Sequence, residues 1–144
     1  MRIVVFVLEH EVVHAILHRY RAPVPIPDWV NEGLAMHLAH QVVPPSSGRS
    51  LYPKAALFLL EEDGLGDGFF ENEHLPRSQY IAAGGLAEFM IEHSQTAYVK
   101  FLDNIKDGST WAESLRDAYH MDHRRLTMRY KTRLSRELSD QLGG

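Results

Sequence analysis

The sequence predicts an all-α or α-dominated fold, α+β only if a sheet lies upstream of the first residue. Three observations carry that expectation. Apolar residues recur at helical spacing over long stretches, no convincing alternating strand pattern occurs, and Pro- and Gly-bearing stretches punctuate the chain. With 144 residues, 44% of them apolar, the chain suits one compact domain that buries about two-thirds of its unfolded surface.

Residues 2–20 contain neither Pro nor Gly and read as one amphipathic helix, with Val12, Val13, Ile16 and Leu17 as its packing side. Ala22-Pro23-Val24-Pro25-Ile26-Pro27 is a stiff, extended connector, because three prolines forbid helix there. Asp28 is the expected N-cap of a second helix, Trp29 to Gln41. Pro44-Pro45-Ser46-Ser47-Gly48 reads as a loop, after which Ser50 opens a third helix ending near Asp63. Glu61 to Glu73 holds six carboxylates and three glycines and is expected to be a mobile acidic loop.

A further helix is expected from Ser78 to His93, interrupted at Gly84-Gly85, and another from Ala97 to Lys106. Asp107-Gly108 ends that one, and Thr110 with Glu113 forms a capping box for the next. The last helix, His123 to Leu138, places Leu126, Tyr130, Leu134 and Leu138 on one i,i+4 stripe. The chain then divides into paired N-terminal helices (1–45), a loop and helix (46–77) and C-terminal helices (78–144).

Composition narrows the function classes. The longest apolar run, Ile3 to Leu8, is far short of the roughly 20 residues that span a bilayer. It lacks a small-residue cleavage site and is not a signal peptide. The chain as it stands is therefore read as soluble and cytoplasmic, or exported if a leader lies upstream. A net charge of −4 argues against a general nucleic-acid binder. With nine histidines and no cysteine, a transition metal would have to sit on imidazole and carboxylate.

His10-Glu11-Val12-Val13-His14 is an HExxH motif inside the first helix. Four residues advance a helix by about 400°, so the two imidazoles stand one above the other and can share a zinc ion. Glu11 is rotated about 100° from His10 and can reach a water on the metal, as a general base requires. Catalytic zinc takes three protein ligands and keeps one open position. The metzincin continuation is excluded, because Leu17 and Tyr20 stand where it needs Gly and His. A Glu on the following helix is the other solution. Glu32, eighteen residues after His14 and just past the proline connector, is placed to fold back over the pair, and Gly33 leaves room for a close helix approach. His37 and His40 are alternative third ligands if Glu32 faces away.

HExxH followed by Trp29-Val30-Asn31-Glu32-Gly33-Leu34-Ala35 resembles the gluzincin metallopeptidases, near their peptidase-MA-like branch. The resemblance covers residues 3–38 and extends more weakly to Tyr80–Ile91. It implies a zincin-like helical core, zinc as cofactor on His10, His14 and Glu32, Glu11 as catalytic base, and hydrolysis of peptide or protein substrates. It also implies that the Tyr80 hydroxyl stabilises the oxyanion of the tetrahedral intermediate. Two departures stand out. Met36 occupies the position at which the thermolysin-like branch has an acidic residue that orients a histidine, so that partner must come from elsewhere, such as a backbone carbonyl. Family members also place a β-sheet ahead of the first helix; the chain is expected to be a fragment lacking it, to have a mis-called start or to be a minimal version.

The rival expectation is a non-catalytic helical module that keeps zinc as a closed structural clip. His18, one turn beyond His14, reads as a helix-surface residue. The acidic loop fails as a calcium loop, because Leu65 and His74 stand where Asp or Asn and Glu are needed. Residues 121–144 carry six Lys+Arg and three Asp+Glu, read as a solvated face of the last helix.

Overall fold

The computed structural model describes residues 2–42, 50–61 and 65–143. Among these it contains eight α-helices and no strand: α1 (Arg2–Arg19), α2 (Asp28–Val42), α3 (Tyr52–Glu61), α4 (Asp67–Glu71), α5 (Tyr80–His93), α6 (Gln95–Lys106), α7 (Trp111–Tyr119) and α8 (His123–Gly143). A 3-10 turn, Arg77–Gln79, leads into α5. The fold is all-α, as the helical periodicity predicts. The expected loop at Pro44 to Gly48 lies outside the described residues, as do Glu62, Asp63 and Gly64.

Helix α5 is the centre of the packing, in contact with α2, α3 and α6. Ala82 to Glu88 and Met90 are all buried. Gly84-Gly85 does not interrupt this helix, contrary to expectation. The pair is a matter of space: a Cβ on Gly85 would collide with the Tyr130 hydroxyl, which donates at 2.9 Å to the Ala82 carbonyl. Gly33 works the same way from α2, where a Cβ would lie 2.6 Å from the Ala83 carbonyl oxygen. Small residues thus let α2 and α5 approach backbone to backbone, and that approach fixes where the first turn of α2 sits.

Asp28 does not cap α2. The first free amides of the helix, Val30 and Asn31, donate to the Pro27 carbonyl, while the Asp28 carboxylate accepts from the Leu75 amide. This bond ties the segment entering the 3-10 turn to the start of α2. The stretch predicted as a mobile acidic loop is also corrected, since its centre folds as α4. Phe69 and Phe70 are each only 3% exposed, and Phe70 packs with Trp29 and Trp111 at ring-centroid distances of 5.1 and 5.7 Å. Burying two aromatic rings outweighs the flanking charge in setting local order.

Helix α1 lies outermost, packed on α2. Among the described side chains of α1 only Leu17 lies in the buried core and Val13 is half-buried, while Val4, Val5, Val7, Leu8, Val12 and Ile16 are exposed. Val12 and Ile16 therefore do not belong to the packing side expected of them. The helix is held at its C-terminal end instead. Arg21 takes a left-handed conformation (φ 59°) that turns the chain. Lys106, 3% exposed, donates through Nζ to the Val24, Ala22 and His18 carbonyls at 2.7, 3.1 and 3.4 Å. Tyr20 donates to Asp103 at 2.7 Å and Arg21 forks onto Asp107 at 3.0 Å.

The C-terminal helices follow their sequence signals closely. Ser94 caps α6, and both halves of the Thr110–Glu113 capping box are formed at α7. On α8, Leu126, Tyr130 and Leu134 are buried and Leu138 packs against the core. Its basic side is not uniformly solvated: the Arg133 guanidinium lies 4.3 Å over the Tyr52 ring and pairs with Glu137.

Candidate metal centre

The i,i+4 spacing on α1 stacks the His10 and His14 rings edge to face, centroids 4.6 Å apart. The proline connector reverses the chain, and Glu32, in the second turn of α2, meets both rings. Its Oε2 lies 3.0 Å from His10 Nε2 and 3.3 Å from His14 Nε2. One donor atom from each of the three residues falls within 4.8 Å of the others. Two ligand atoms held at 2.0–2.1 Å by one tetrahedral ion are separated by about 3.3 Å. The carboxylate-to-imidazole spacings match that edge, so the donor set fits zinc.

Asn31, the residue before Glu32, orients one of the imidazoles. Its Oδ1 accepts from His14 Nδ1 at 2.8 Å, which places the proton on Nδ1 and leaves the Nε2 lone pair facing Glu32. A side-chain amide on α2, not a backbone carbonyl, is thus the partner of the His14 ring. His10 Nδ1 is buried with no partner among the described residues. Burial works against charge on Glu32. The hydrogen bond from His10, the neighbouring His14 and the Tyr80 hydroxyl nonetheless hold its carboxyl below the usual range.

The three side chains line a cleft of about 400 Å³ together with Phe6, Val7, Glu11, Met36, Arg77 and Tyr80. Glu11 is exposed at its edge, next to His10 and on a different side of α1. Tyr80 stacks on His10 at 6.3 Å between ring centroids, with 15° between the planes. Burial and the charges of Glu32 and Asp28 push its hydroxyl pKa up. The Asp28–Leu75 bond ties the segment leading into α5, and so Tyr80, to the start of α2.

The other sequence candidates lie elsewhere. His18 is exposed on α1. His37 feels the charge of Glu92 on α5 and His40 that of Lys54 on α3, and neither is part of the group formed by His10, His14 and Glu32. Asp67 of the acidic stretch pairs with His123 at 3.2 Å. Asn31, Arg77 and Lys106 were not singled out by the sequence. Asn31 carried a signal, standing beside the glutamate on the same helix. Arg77 and Lys106 carried none, because their placement depends on how distant segments pack. Compared with protein-family models, curated protein sequences and solved structures, the chain matches none of them.

Proposed function

We propose that the chain is a zinc-dependent metallopeptidase of gluzincin type that hydrolyses peptide bonds, with Glu11 as general base. The observation that carries this reading is the single carboxylate oxygen of Glu32 at 3.0 and 3.3 Å from the two HExxH imidazoles. Two imidazoles and one carboxylate alone suit zinc and iron(II) alike, and it is the added Glu11 base that favours zinc and hydrolysis. A Glu beside them at the mouth of an open cleft suits hydrolysis better than a closed structural clip.

Zinc held by His10, His14 and Glu32 would supply Lewis acidity and make the attacking water easier to deprotonate. Glu11 takes the proton of the attacking water and passes it to the leaving amine. Asn31 holds His14 in the tautomer that faces the centre. The Tyr80 hydroxyl donates to the carbonyl oxygen of the scissile bond as negative charge develops there. Phe6, Val7 and Met36 give the cleft an apolar wall for a substrate side chain.

The test is zinc content and cleavage of casein for the wild type and Glu11→Gln. Both are expected to retain one zinc, with hydrolysis lost in the variant and in phenanthroline-treated wild type that stays folded. Cleavage by Glu11→Gln equal to wild type would remove Glu11 from its role. Unfolding on chelation, with no hydrolysis at any stage, would turn the assignment to a structural zinc.

A further inference from the structure

We infer that Arg77 makes this cleft selective for substrates that carry a carboxylate beside the scissile bond, an inference that rests on the peptidase reading above. Among the described residues Arg77 is the only Lys or Arg lining the cleft, which it shares with His10, Glu11, His14, Glu32 and Tyr80. Arg77 and Tyr80 are three residues apart across a 3-10 turn, where side chains at i and i+3 eclipse, so both project to the same side. The guanidinium is close enough to act on the Tyr80 hydroxyl, which in turn acts on Glu32.

The side chain is exposed, and among the described residues its guanidinium has no ion-pair partner. Some other cations are already engaged: Arg21, Lys100 and Arg133 each have a carboxylate, and Lys106 has three carbonyls; what sets Arg77 apart is its place in the lining of the cleft. The two carboxylates of the cleft have other tasks in the reading above, Glu32 against the imidazoles and Glu11 toward the water. With a divalent ion offsetting those two, Arg77 is the one uncompensated charge among the residues that line the cleft; Asp28, whose charge also reaches Tyr80, is not part of that lining. An anionic group on the substrate is its natural complement, and the planar fork matches a carboxylate in two-point contact. Such a carboxylate has two sources, an Asp or Glu side chain or a free C-terminus.

The experiment uses the zinc-loaded full chain and three capped peptides: one with Glu beside the scissile bond, the same with Gln, and the Gln peptide with a free C-terminal acid in place of the amide. The Glu peptide or the free acid is expected to exceed the neutral amide in kcat/KM by about fivefold, mainly through KM, and to lose that margin at high salt. The arm that shows it identifies the source. Arg77→Gln is expected to bring the ratio to about one, Arg77→Lys to keep part of it and Arg77→Glu to favour a Lys-bearing peptide. A ratio near one in the wild type for both carboxylate arms overturns the inference, as does an unchanged ratio in Arg77→Gln. If no peptide is cleaved, the peptidase reading fails separately. Calorimetric titration of the same peptides into Glu11→Gln then decides the inference, and equal affinity for charged and neutral peptides overturns it.

Discussion

Helix α2 faces imidazole and carboxylate groups on two sides, and the two sides are built on opposite plans. Toward α1, Glu32 meets His10 and His14 so that three potential ligand atoms come within 4.8 Å of one another. Toward α3 and α5, His37, His40, Glu88 and Glu92 are as rich in potential ligands, but they do not converge. The Glu92 carboxylate accepts from the Tyr52 hydroxyl at 2.7 Å and Glu88 from the Leu51 amide at 2.8 Å. His37 Nδ1 and His40 Nε2 are buried with no partner among the described residues. The same residue types occur on both sides; geometry separates a candidate centre from a polar seam in the core.

The comparison is broken most forcefully from a distance. Lys106 clamps the end of α1 and the connector that returns the chain to α2. Lys106→Met would leave three carbonyls without their donor and is expected to cost about 3 kcal/mol in urea unfolding. Zinc affinity should fall with it, because His14 loses its register with Glu32. Gly33→Ala pushes α2 off the Ala83 carbonyl and is expected to cost about 2 kcal/mol, read in the same experiment.

Asn31→Ala sharpens the contrast without touching a ligand. Zinc affinity is expected to drop about 10- to 100-fold by competition with a chromogenic chelator. His37→Ala and His40→Ala should leave it unchanged. The smallest effect concerns pH. Burial pushes the His37 and His40 pKa values below the ordinary histidine value; Lys54 adds to the shift at His40, and Glu92 opposes it at His37. Their neutral forms fit the fold and their charged forms do not. The stability they contribute is therefore present above about pH 6.5 and lost as pH falls through their folded values. Urea midpoints at pH 7.5 and 5.5 should show the wild type losing more stability than His37→Gln/His40→Gln on acidification.

Local signals were the most legible part of this chain. The capping box at Thr110, the stripe of α8 and the four-residue histidine spacing depend on residues one or two turns apart, and the helices follow them. Glu32 was reachable because a stiff connector leaves few ways to return. What escaped depended on tertiary space. Gly84-Gly85 reads as a break in one dimension but is room for Tyr130 in three. Phe69-Phe70 reads as part of a charged loop until Trp29 and Trp111 arrive beside it. Asp28 looks like a cap and serves Leu75 instead, 47 residues away.

A zinc titration of the wild type, Glu32→Ala and Glu92→Ala by competition with a chromogenic chelator tests the central claim most directly. One zinc per wild-type chain is expected, an affinity at least about 100-fold weaker in Glu32→Ala, and none of that loss in Glu92→Ala. A wild type that takes up no zinc, or a Glu32→Ala variant that binds it as tightly, would contradict the account.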